Sequence, residues 1–66
     1  MTYLESYETF DDADKLAEEV IHDVWVASLF SMSYRHKVII EAAEDVFSRK
    51  FPDYTGLKTR LSELSL

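Results

Sequence analysis

Gly56 and Pro52 are the only glycine and the only proline in the chain, and both stand near its C-terminal end. Everything before Pro52 lacks the two residues that most often turn a backbone. A fold of many short strands needs frequent tight turns, so this deficit favours a few long helices. The 66 residues are enough for one domain, residues 1–66. Such a domain buries only ~60% of the surface its unfolded chain exposes. Its stability is marginal unless something adds to it. There is no cysteine to form a disulfide, which also fits a reducing compartment. A partner chain is the remaining common source of stability, so a homo-oligomer or a complex is expected. Apolar residues make up 47% of the chain, which argues against disorder despite a net charge of −6.

Helical periodicity runs through most of the sequence. Ala13, Leu16, Ala17, Val20, Ile21 and Val24 recur at helical spacing and predict a helix from about Asp12 to Phe30, with Asp11 and Asp12 as caps. Val38, Ile39, Ala42, Ala43, Val46 and Phe47 predict a second, from about Tyr34 to Phe51, capped by Ser33 and ended by Pro52. Leu57, Leu61 and Leu64 predict a short third helix, capped by Thr55 or Asp53. Thr2 and Glu5 have capping-box spacing, which favours a short helix over Thr2 to Phe10 with Tyr3, Tyr7 and Phe10 on one face. The same residues also alternate as in a strand. Only Ser31-Met32-Ser33 separates the two long helices. An antiparallel hairpin is expected, because two wide apolar faces then cover each other. The alternative is one long helix buried in a dimer. The predicted fold is all-α: a compact domain of three helices, four if the N-terminal stretch is helical.

Charge is unevenly distributed. Residues 1–34 hold Glu5, Glu8, Asp11, Asp12, Asp14, Glu18, Glu19 and Asp23 against one base, Lys15, whereas residues 35–66 are nearly balanced. Six of these acids, Asp11, Asp12, Asp14, Glu18, Glu19 and Asp23, fall on a helical stretch ~18 Å long, about one charge per ~3 Å. One DNA strand carries a charge per ~3.4 Å. The leading functional expectation is therefore a non-enzymatic acidic inhibitor or adaptor, of a phage or mobile-element type. It would present this stripe to a basic, nucleic-acid-binding site on a larger protein. The bland alternative is a solvated helix face. Direct binding of DNA or RNA is not expected, because the only basic clusters are Arg35-His36-Lys37 and Arg49-Lys50.

The acidic face stops before the helix does. Trp25, Val26, Leu29 and Phe30 continue onto the sector the acids held, and with Val24 and Ala27 make the last two turns apolar nearly all round. Such a segment must be buried on all sides. Either the third helix and the tyrosine-rich N-terminus cover it, or it is a patch for self-association or a partner, anchored by Trp25 and Phe30. The latter gives the alternative function: a homo-oligomeric assembly module or an antitoxin-like neutraliser. The four tyrosines, Tyr3, Tyr7, Tyr34 and Tyr54, suit a half-buried rim.

No catalytic pattern emerges. There is no cysteine nucleophile, and Ser31 and Ser33 near His36 are better explained as helix-start residues. One glycine cannot build a phosphate loop. Glu19-Val20-Ile21-His22 has the Glu-x-x-His spacing of di-iron bundles, but such sites need a second motif and two further Glu, and Glu41 with Glu44 lacks a His. Glu18 and His22 are more simply a surface pair. No enzyme activity, metal or cofactor is expected. The longest apolar run, near Val24–Phe30, is far short of the ~20 residues that cross a bilayer, and no basic-then-apolar leader is present. A cytoplasmic protein without a membrane partner is expected, and the initial Met reads as the start of a complete small frame.

Overall fold

The computed structural model describes residues 2–64, and Met1, on which the complete-frame reading rested, lies outside them. Among the described residues there are four helices and no strand: α1 (Tyr3–Glu8), α2 (Ala13–Leu29), α3 (Ser33–Lys50) and α4 (Gly56–Glu63). The N-terminal stretch is helical because Thr2, in extended conformation, accepts a side-chain hydrogen bond from the Glu5 N–H. Asp12 does the same for α2, accepting from the N–H groups of Asp14 and Lys15. One expected cap differs. Ser33 is the first residue of α3 rather than its cap; Met32 holds the cap position and supplies no side-chain acceptor. Thr55, one of the two candidates, holds the cap position of α4, though without a side-chain hydrogen bond, and Asp53 lies outside the helix.

The long helices form the hairpin, and its turn uses a serine where glycine is usual. Phe30 ends α2, and Ser31 adopts φ 54°, the left-handed region. The Met32 N–H then donates to the Ala27 carbonyl at 2.9 Å, and the Ser31 N–H to that of Ser28 at 3.2 Å. This pair of bonds is the Schellman arrangement, which satisfies carbonyls the helix end would leave unpaired. Reversal of the chain here rules out one continuous helix.

The hairpin buries Leu16, Ala17, Val20, Val24 and Ala27 of α2 against Ile39, Ala43, Val46 and Phe47 of α3. Each large aliphatic side chain so buried contributes ~1.5–3 kcal/mol. Helix α1 packs mainly on α3 and adds Tyr7, which meets Asp23; α4 packs on α2 and adds Leu57. The Cα envelope measures 30 × 27 × 15 Å. Its narrow dimension matches two helices at the usual ~8–10 Å separation, and α1 and α4 widen the other.

Two contacts lock the ends together at the base of the hairpin, where α3 finishes. Lys50 Nζ donates to the carbonyls of Glu8 (2.6 Å) and Phe10 (2.7 Å), closing the C-terminal end of α1. Arg49 bridges Glu8 and Asp45, and these hydrogen bonds, that to Glu8 foremost, hold its guanidinium above its ordinary pKa. Beyond Pro52, the Tyr54 ring stacks on Phe47 at 5.2 Å between centroids. Tyr54 also crosses so near Gly56 that a Cβ there would stand 2.6 Å from its hydroxyl oxygen.

Candidate functional site

Helix length decides what remains uncovered. At 1.5 Å per residue, α2 and α3 are each about 25 Å long, whereas α1 and α4 reach only about 9 and 12 Å. The short helices cover the base and middle of the hairpin and leave its tip bare. Trp25 is 50% exposed, Leu29 60%, Phe30 66%, Met32 40% and Tyr34 81%, and Val26 is half-buried. Neither α4 nor the N-terminal tyrosines cover this segment. Among the described residues Leu4 is the one other exposed large apolar side chain. The sequence pattern identified Trp25, Val26, Leu29 and Phe30; it missed Met32 and Tyr34, which join them only when the chain turns.

A second property of the tip was legible but easily passed over. No Asp or Glu occurs from Val24 to Ile40, while Arg35, His36 and Lys37 fall inside that run. The surface is therefore polarised, with acids toward the base and an apolar, weakly basic tip.

The six acids of the expected stripe do not form one class. Asp11, Asp14, Glu18 and Glu19 are exposed. Asp12 is the cap of α2. Asp23 leaves the stripe: it is half-buried and accepts a 2.6 Å hydrogen bond from the Tyr7 hydroxyl. Burial, and then the Asp23 hydrogen bond, push the Tyr7 phenol well above its usual pKa. Of the six acids, four are thus exposed and accept no hydrogen bond from the rest of the described chain. Arg60 of α4 has its pKa raised, first through Tyr54 and further through the charges of Asp14 and Glu18. Lys15 is not the stripe's one basic neighbour.

The tyrosines depart from a uniform rim as well. Tyr3 and Tyr54 are half-buried, Tyr7 is fully buried, and Tyr34 is nearly free.

An open groove of about 430 Å³ lies between α1, α2 and α3, lined by Thr2, Tyr3, Ser6, Glu19, Asp23, Arg35 and Val38. Arg35 therefore shares its surroundings with two carboxylates of α2. His22 lies 3.8 Å from Asp23 through Nδ1. Among the described residues no group of three or more His, Asp or Glu side chains is placed to hold a metal ion. No described helix is long and apolar enough to cross a membrane. The chain matches no protein-family model, no curated protein and no solved structure.

Proposed function

We propose that the chain is a non-enzymatic binding and assembly module whose working surface is the tip of the α2–α3 hairpin. The observation that supports it is the clustering of Trp25, Leu29, Phe30, Met32 and Tyr34, all exposed, at one end of a small domain. Isolated apolar residues on a surface are ordinary; several exposed large apolar side chains gathered at one end of a domain are typical of interaction sites. Trp and Tyr are also the residues that most often carry binding energy at protein interfaces.

A second reading rests on a different observation. Asp11, Asp14, Glu18 and Glu19 remain exposed just before α2 and along its first half. They suit a basic site on a larger protein, as in a phage-type inhibitor, a nucleic-acid mimic or an antitoxin-like neutraliser. Asp12 caps α2 and Asp23 holds Tyr7, so fewer carboxylates of the stripe are free to contact a partner, and this reading takes second place.

One experiment separates the two. The chain is used as bait in a cell lysate beside Phe30→Asp and beside the triple variant Asp14→Asn/Glu18→Gln/Glu19→Gln. Under the tip reading, retained proteins, copies of the chain itself included, are lost with Phe30→Asp and kept by the triple variant. The reverse pattern gives the acidic surface first place.

A further inference from the structure

The charge distribution also selects what covers the tip. Two copies of a chain with net charge −6 repel each other. Repulsion is weakest along the approach that keeps the carboxylates apart. The tip is that approach, since residues 24–40 contain no acid and Arg35 and Lys37 lie beside it. Of the flanking acids, Asp23 is half-buried and bonded to Tyr7. Along the α2 axis Glu18 and Glu19 lie roughly 9–11 Å from Trp25, and Asp14 and Asp11 roughly 16–21 Å. Across a tip-to-tip contact these separations at least double, so the nearest of these acids stand ~18 Å or more apart, over twice the ~8 Å screening length at physiological salt. Arg35 lines the groove that Glu19 and Asp23 of its own chain also line.

The available area is sufficient. A fully covered aromatic side chain buries ~150–250 Å². Trp25, Phe30 and Tyr34 are 50%, 66% and 81% exposed, so the three rings offer on the order of 300–500 Å² per copy. Leu29 and Met32 bring a pair of tips to about 1,000 Å², the lower bound of specific interfaces. We propose that the tip docks on the tip of a second copy, forming a two-fold, end-on dimer with the acidic ends facing outward. This rests on the reading of the tip as the working surface. The same patch on both copies makes the contact isologous, and it closes at two.

Sedimentation equilibrium of the full chain, at low and high salt, tests the proposal together with emission from Trp25, the only tryptophan. The expected result is a dimer that tightens several-fold in high salt, because screening relieves repulsion between the acidic bodies. Trp25 emission shifts to shorter wavelength over the same concentration range. Phe30→Asp and, separately, Tyr34→Asp weaken the dimer at least tenfold, with helical circular dichroism unchanged. A monomer at all concentrations overturns the second copy as occupant while leaving the tip reading standing. If Trp25 emission in that monomer shifts with phosphatidylcholine/phosphatidylglycerol vesicles, the tip belongs to a lipid surface. A dimer that salt weakens also overturns the proposal, since acids then lie in the contact. A dimer indifferent to both tip variants overturns the tip reading itself.

Discussion

The Tyr7 hydroxyl donates a 2.6 Å hydrogen bond to the Asp23 carboxylate, and this contact carries α1 onto the hairpin. Tyr7 is buried and Asp23 half-buried, so removing either partner strands the other's polar atom. Tyr7→Phe is expected to cost about 1–3 kcal/mol, a fall in Tm of roughly 4–8 °C per kcal/mol for a domain of this size. The raised Tyr7 pKa also fixes a pH dependence. The folded state keeps the phenol proton that the unfolded chain releases near pH ~10. The stabilisation is therefore full below that pH and is lost as pH rises above it. Ultraviolet absorbance titration should show one of the four tyrosines failing to ionise until the protein unfolds. In Tyr7→Phe the delayed ionisation should vanish and the alkaline loss of stability become shallower.

Ser31 holds a left-handed φ of 54° to complete the hairpin turn. An L-residue pays roughly 1–2 kcal/mol for that conformation and glycine does not, although glycine gains entropy in the unfolded chain. Ser31→Gly is expected to raise stability by up to about 1 kcal/mol, with both turn hydrogen bonds intact. Chemical denaturation should show a higher midpoint at an unchanged slope. A lower midpoint would mean that the serine side chain contributes something the backbone geometry does not reveal.

Gly56 is constrained for the opposite reason. Its backbone is not left-handed; what it lacks is room, because a Cβ would meet the Tyr54 ring and hydroxyl at 2.8 and 2.6 Å. That ring is already stacked on Phe47 and cannot yield without losing the stack. Alanine, normally the better helix former, should destabilise the protein here by about 1–3 kcal/mol. Thermal denaturation checks the sign, and near-ultraviolet circular dichroism should register the displaced tyrosine.

The acids of α2 should separate by mutation. Asp12→Ala removes a cap and is expected to cost ~0.5–2 kcal/mol, and Asp23→Ala about 1–3 kcal/mol through the orphaned Tyr7 hydroxyl. Asp11→Asn should change stability little, and the triple change at Asp14, Glu18 and Glu19 should leave it nearly unchanged. There, relief of mutual repulsion offsets the loss of Arg60 as a neighbour. Denaturation midpoints of the four variants test this. Equal losses at all positions would return the six carboxylates to a single class.

What the sequence determined by itself is periodic and local. The spacing of Leu16, Val20 and Val24, and of Ile39, Ala43 and Val46, set the two long helices, because a 3.6-residue repeat allows one buried face per helix. Thr2 and Asp12 announced their caps, since that chemistry acts within three residues. Trp25, Leu29 and Phe30 were recognisable as excess apolar surface because they break the pattern of the helix that carries them. What only the tertiary structure decided depends on residues distant in sequence. No spacing rule joins Tyr7 to Asp23 or places Arg60 beside Asp14, so the division of the acids into structural and free ones could not be read in advance. The cover of the tip was undecidable for a similar reason. It depends on how far α1 and α4 extend along the hairpin once docked, and on a turn at Ser31 that no glycine marks. Both are set by the packing of the whole chain.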